Sequence, residues 1–129
     1  MKVREVMNRK VEFIEPKATV LDAIEKLVDK KIRSLVVKPE NEGDTYGTIT
    51  IRDIVYKCLS EGKETKNVKV KEITSKPLVY VEKDMPVEHV LKLMKKFNIA
   101  RVFVKDENEV IGLVALMDIV ATCLVNKKL

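Results

Sequence analysis

Tryptophan is missing from the chain, and three tyrosines with three phenylalanines are its only aromatics. So few rings give little with which to stack nucleic-acid bases. There is one histidine, His89, which leaves a histidine-built metal site or a Ser-His-Asp triad with little to work with. It falls among Glu88, Lys92 and Lys95 on a helical stretch and reads as solvated. The two cysteines, Cys58 and Cys123, sit at matching places late in two apolar helices. They read as small buried hydrophobes, not as a disulfide or a reactive thiol. No apolar run approaches the ~20 residues needed to span a bilayer. Met1 is followed at once by Lys2, Arg4 and Glu5 and not by a secretory apolar segment, so a cytoplasmic location with no membrane contact is expected.

Charge is what the chain has in quantity. Lys and Arg number 25 against 20 Asp and Glu, a formal +5, and charged residues make up 35% of the 129 beside 46% hydrophobic. That balance suits a globular fold of one compact domain, or two very small ones sharing a core. A net positive chain raises the question of nucleic acid. Here the lysines are interleaved with acids, which favours a solvated mixed-charge surface.

An internal repeat organises everything else. Val3-Arg4-Glu5-Val6 returns 67 residues later as Val70-Lys71-Glu72-Ile73, and the same offset carries Phe13 to Tyr80, Val20 to Val87 and Ile32 to Ile99. Past the hairpins the offset becomes 65, so that Gly47, Asp53, Ile54 and Cys58 meet Gly112, Asp118, Ile119 and Cys123. The chain is a tandem duplication: 1–60, a charged linker 61–68, and 69–129.

Each copy has one reading. A short amphipathic lead-in precedes an extended segment, Val11 to Ile14 in the first copy and Leu78 to Val81 in the second. Thr19 is predicted as an N-cap with Asp22 as its capping-box partner. Val20, Ala23, Ile24, Leu27 and Val28 then fall at helical spacing. In the second copy Pro86 opens the helix, where proline is tolerated, and Val87, Val90, Leu91 and Met94 make the stripe. A hairpin follows, Ile32–Val37 with Thr48–Ile51, then Val102–Val104 with Leu113–Leu116. A last helix opens near Asp53 in one copy and runs from Met117 to Val125 in the other.

The chemistry gathers where the second hairpin strand hands over to that helix. Gly47-x-x-Thr50-x-x-Asp53 and Gly112-x-x-Ala115-x-x-Asp118 place a carboxylate on an apolar floor beside backbone N–H groups that attract anions. A carboxylate there caps the helix, worth about 0.5–2 kcal/mol, and is also able to accept both hydroxyls of a sugar diol. Arg33 and Arg101 enter otherwise apolar strands, where a charge needs a partner: a surface carboxylate, or a phosphate reached by the guanidinium.

These motifs, the strands led by Ile32-Arg33 and Ile99-Ala100-Arg101, and the openings Val3–Met7 and Val70–Thr74 resemble a pair of CBS domains over nearly the whole chain. The resemblance implies an α/β (α+β) fold of tandem β-α-β-β-α repeats related by a pseudo-twofold axis, their sheets packed together as a Bateman module. It implies clefts that bind an adenosine-containing ligand (AMP, ADP, ATP or S-adenosylmethionine) and pass the binding state to an effector protein, with no cofactor otherwise required. By position, Asp53 and Asp118 would hold ribose hydroxyls, and Thr50 ribose or phosphate. Lys10, Val11 and Ile32 would line one base pocket, and Pro77, Leu78 and Ile99 the other. Arg33 and Arg101 match often basic positions that reach phosphates. Ala115 departs from the pattern by removing a hydroxyl. Arg33 is followed by Ser34 and Arg101 preceded by Ala100, so neither copy fills both basic positions. Unequal pockets are therefore expected, the one around Asp53 tighter.

No activated nucleophile, metal cluster or poised acid–base pair is legible, so the chain reads as a stand-alone regulatory module and not an enzyme. Apolar helix faces at Ile54, Leu59, Ile119 and Leu124 suggest a homodimer. The alternatives are a nucleic-acid binder and a scaffold whose clefts take no ligand.

Overall fold

A computed structural model of the chain describes residues 1–126; residues 127–129, the end of the second repeat, lie outside the described residues. The protein comprises two compact units, cut differently from the repeats. A middle unit spans Glu12–Leu78, and a terminal unit joins Met1–Val11 to Val79–Leu129. Each lead-in thus belongs to the unit that contains the other copy's sheet.

In the middle unit, β1 (Phe13–Ile14) runs parallel to β2 (Ser34–Val37), which pairs antiparallel with β3 (Gly47–Thr50). The terminal unit repeats the order with β4 (Tyr80–Glu82), β5 (Arg101–Asp106) and β6 (Glu109–Ala115). Helix α1 (Val20–Lys30) links β1 to β2, and α4 (Val87–Phe97) links β4 to β5. Helix α2 (Ile51–Lys57) follows β3, α3 (Val70–Ile73) is the second lead-in, and α5 (Leu116–Val125) follows β6.

The capping box on α1 forms as predicted: Thr19 Oγ1 accepts from the Asp22 N–H at 3.1 Å, and Asp22 Oδ2 accepts from the Thr19 N–H at 3.0 Å. Both linking helices stop in the same way. Lys31 (φ 57°) and Asn98 (φ 52°) turn left-handed, and the next N–H reaches back to the carbonyl of Leu27 or Met94. This closing turn recurs 67 residues on and satisfies carbonyls the helix end would leave bare.

One face of α1 (Val20, Ala23, Leu27) packs with Leu35, Val37 and Ile49 of its sheet and with Val68, Val70 and Ile73. In the terminal unit Val87, Val90 and Met94 pack with Val102, Val104, Val114 and the lead-in residues Val3 and Val6. Burying each such aliphatic side chain contributes roughly 1.5–3 kcal/mol, so both cores depend on chain brought in from outside their own repeat. The linker is not free either: the Val20 N–H donates to the Val68 carbonyl and the Val70 N–H to that of Ala18.

Two sequence expectations shift in detail. Helix α2 begins two residues before Asp53, because Thr50 and not Asp53 occupies the cap position. It ends at Lys57, and a short 3-10 turn (Leu59–Glu61) follows, closed by Gly62 at φ 70°. Ile54 and Ile119, expected on an outer face, are core residues at 4% and 7% exposure, since the residue after each aspartate faces the preceding sheet. Cys58 is buried and Cys123 partly so, both as free thiols, and His89 is exposed.

The longer first hairpin is pinned to the α3 segment by two ion pairs, Lys71–Glu40 at 3.2 Å and Lys76–Asp44 at 2.6 Å. The Lys76 ammonium, with the Glu40 and Thr45 N–H groups, holds the Asp44 carboxyl down at about 2, against an ordinary 3.8. A lowered carboxyl pKa means that this tie favours the folded chain above 3.8 and is lost as pH falls from there through about 2. Carboxyl-resolved NMR titration should find Asp44 ionising near 2, and Lys76→Ala should move it up toward 3.8.

Candidate functional site

The strand-to-helix junctions carry the chemistry in both units, and a missing side chain builds each one. At Gly47 the second lead-in crosses β3: the Thr48 N–H donates to the Ser75 carbonyl at 2.9 Å and the Ser75 N–H to the Thr48 carbonyl at 2.9 Å. A Cβ on Gly47 would collide with Thr74 Cγ2 and come within 3.0 Å of the Ser75 carbonyl oxygen. At Gly112 the first lead-in does the same on β6, with Asn8 and Leu113 exchanging N–H···O bonds of 2.7 and 2.9 Å. There a Cβ would meet Met7 Sδ at 2.6 Å and the Asn8 carbonyl at 3.2 Å.

The middle unit therefore assembles Thr50, Asp53, Ser75 and Lys57. Asp53 Oδ2 accepts from the Thr50 N–H at 2.9 Å and the Thr50 hydroxyl at 3.1 Å, while Thr50 Oγ1 accepts from the Asp53 N–H at 3.2 Å. On the other oxygen, Oδ1 accepts from the Ser75 hydroxyl at 3.1 Å and pairs with the Lys57 ammonium at 3.0 Å. The ammonium also donates to Ser75 Oγ at 3.0 Å and the Ile73 carbonyl at 3.2 Å. The Asp53 side chain is 12% exposed, that of Lys57 44%.

In the terminal unit Asp118 Oδ2 accepts from the Ala115 N–H at 2.8 Å. Among the described residues no hydrogen bond or ion pair engages Oδ1. Ala115 has no oxygen to return the cap, and the position four residues on, which is Lys57 in the first copy, is Thr122. Its hydroxyl bonds back to the Asp118 carbonyl at 2.8 Å.

The lead-in exchange regroups the predicted residues. Lys10 and Val11, placed by sequence with Asp53, lie in the unit of Asp118, and Pro77 and Leu78 lie in that of Asp53. Lys10 is exposed and its N–H donates to Asn8 Oδ1 at 2.8 Å. Leu78 is buried, its N–H on the Tyr46 carbonyl, and Pro77 is exposed behind a cis peptide. Ile99 packs against the terminal core. Ile32 packs against the middle core and borders a groove of about 330 Å3 lined by Ile24, Val28, Ile51, Val55 and Leu59.

The arginines occupy adjacent, non-equivalent positions. The Ile51 N–H donates to the Arg33 carbonyl as the Leu116 N–H does to that of Ala100, so Arg33 matches Ala100. Ser34 pairs across from Thr50, and Arg101 from Ala115. Arg33 is exposed and Arg101 half-buried.

Lys57 and Ser75 were not among the predicted site residues. The four-residue spacing of Asp53 and Lys57 is a helical ion-pair signal and was available. Ser75 has no local signal, because its place depends on a pairing made across the chain.

Residues 3–60 and 70–124 match the CBS domain, once each. An uncharacterised protein of Methanopyrus kandleri is 36% identical over 118 residues, 91% of this chain and 60% of its own length. The chain thus spans about three-fifths of that relative. The structure of a hexameric CBS-CP12 protein from bloom-forming cyanobacteria matches with TM-score 0.85 at 36% identity, over 98% of this chain and 74% of that one. The CBS domain pair of protein MJ0100, in complex with 5′-methylthioadenosine and S-adenosyl-L-methionine, matches with TM-score 0.76 at 28% identity, over 94% and 98%.

Gly47→Ala should cost about 1–3 kcal/mol, as overpacking against fixed backbone does. Gly112→Ala should cost less, because the Met7 thioether is able to swing aside. Chemical denaturation of the two variants checks the order.

Proposed function

Because the chain belongs to the CBS domain family, with two such domains in tandem, we propose that it is a regulatory module whose two junction carboxylates take the ribose of an adenosyl ligand. The observation that carries this reading is the Asp118 carboxylate. It is held by one oxygen at the first turn of α5, and the other has no protein partner among the described residues. A ribose diol supplies the donors that such an oxygen accepts. The ligands on the related MJ0100 pair, 5′-methylthioadenosine and S-adenosyl-L-methionine, share the adenosyl group and belong to the class proposed here, together with AMP, ADP and ATP. Arg101, half-buried directly across from Ala115, is the cation suited to a ligand phosphate.

The module carries no catalytic role in this reading. Its output is population shift: a ligand that binds one conformation better raises its share, and an effector protein reads the change. Exposed apolar residues on α2 and the turn after it (Ile51, Val55, Leu59), and separately on α5 (Leu116, Val120, Leu124), are faces on which a second copy would pack, in place of the inward Ile54 and Ile119.

A thermal-shift series with AMP, ADP, ATP, S-adenosylmethionine and NAD tests the proposal. A ligand present at a hundred times its Kd stabilises by about 2.7 kcal/mol, which for a chain of this size is a rise of roughly 10 °C. Asp118→Ala should remove most of the rise. If none of the five moves the melting point, the ligand-free scaffold is what remains.

A further inference from the structure

We propose that Lys57 is an internal latch on Asp53, so that the Asp118 site fills first and the Asp53 site opens only when the lysine is displaced. This rests on the adenosyl reading above and specifies how the two carboxylates share the work.

Both Asp53 oxygens already have partners: Thr50 on Oδ2, and Ser75 with Lys57 on Oδ1. A ribose diol donates hydrogen bonds, and here the acceptors it needs already hold donors from the protein. The ammonium itself is well placed, its three N–H groups meeting Asp53 Oδ1, Ser75 Oγ and the Ile73 carbonyl at 3.0–3.2 Å. Displacing it means breaking a charge-assisted set around a carboxylate that is only 12% exposed, where such contacts outweigh those of open solvent. The Lys57 side chain as a whole is 44% exposed, so the ammonium has solvent to move into.

The terminal unit lacks every part of the latch. Thr122 stands where Lys57 does, Ala115 where Thr50 does, and Asn8 where Ser75 does. Among the described residues Asp118 keeps one oxygen uncommitted. This reverses the order expected from sequence, where the Thr50 hydroxyl argued for the tighter pocket at Asp53. The hydroxyl and the carboxylate are spent on each other.

Adenosine, which has the diol but no phosphate to attract a lysine, is the discriminating probe in calorimetric titration, with 2′-deoxyadenosine as its diol-free control. The wild-type chain should take adenosine at one site that Asp118→Asn abolishes and Asp53→Asn leaves. Lys57→Met, which keeps the stem, should add a second site, or tighten one, by about tenfold; that gain should vanish in Lys57→Met/Asp53→Asn. Conversely, Thr122→Lys should weaken the first site by about tenfold. It leaves the middle unit untouched, and so tests the latch even if Lys57→Met folds poorly. Loss of the wild-type site in Asp53→Asn, or unchanged binding in both lysine variants, overturns the latch while leaving the adenosyl reading standing. Absence of binding by adenosine, AMP, ATP and S-adenosylmethionine to every variant overturns both.

Discussion

Two strands of this protein are approached by a second stretch of backbone at the one residue where each has no side chain. Gly47 lets Ser75 pair with Thr48, and Gly112 lets Asn8 pair with Leu113. Each contact is a pair of N–H···O bonds, modest in net free energy at about 0.5–1.5 kcal/mol apiece. Their structural effect is larger than that figure suggests. They dock a lead-in, and the lead-in delivers core: Val70 and Ile73 in the middle unit, Val3 and Val6 in the terminal one. Without them α1 and α4 would face sheets too small to cover their apolar stripes.

The same docking decides the electrostatics of the junctions. Ser75 reaches Asp53 only because the segment carrying it is laid across β3, and Lys57 finds two further acceptors, Ser75 Oγ and the Ile73 carbonyl, on that segment. In the terminal unit the docked residue is Asn8, which uses its amide oxygen on the Lys10 N–H. Duplication supplied two equivalent frames. Divergence at five positions, Thr50/Ala115, Lys57/Thr122, Ser75/Asn8, Arg33/Ala100 and Ser34/Arg101, made the junctions unlike.

Much of the frame was legible from local pattern. The capping box at Thr19, both hairpins and most of the α1 and α4 stripes are short-range signals that the structure keeps, although Val28 at 72% and Leu91 at 38% exposure fall outside the buried faces; the 67-residue repeat is read by comparing the chain with itself. Element ends were less so: β1 is two residues, Phe13–Ile14, where an extended run from Val11 was predicted, because only those two stand in register opposite β2 residues, Glu12 adding just its carbonyl to the Val36 N–H. What periodicity does not encode is which unit a lead-in joins. Both lead-ins have nearly the same apolar spacing, so Lys10 and Val11 on one side and Pro77 and Leu78 on the other carried no mark of the exchange. The partners of Asp53 follow from that exchange and were hidden with it.

The first hairpin, two residues longer than the second, has a consequence of its own. Its tip is roped to the α3 segment at both ends by Lys71–Glu40 and Lys76–Asp44, and Ser75 lies between those two knots. The stretch that brings the Ser75 hydroxyl to Asp53 is thus fastened on either side to a hairpin that faces solvent, and its backbone is held to Thr48 as well.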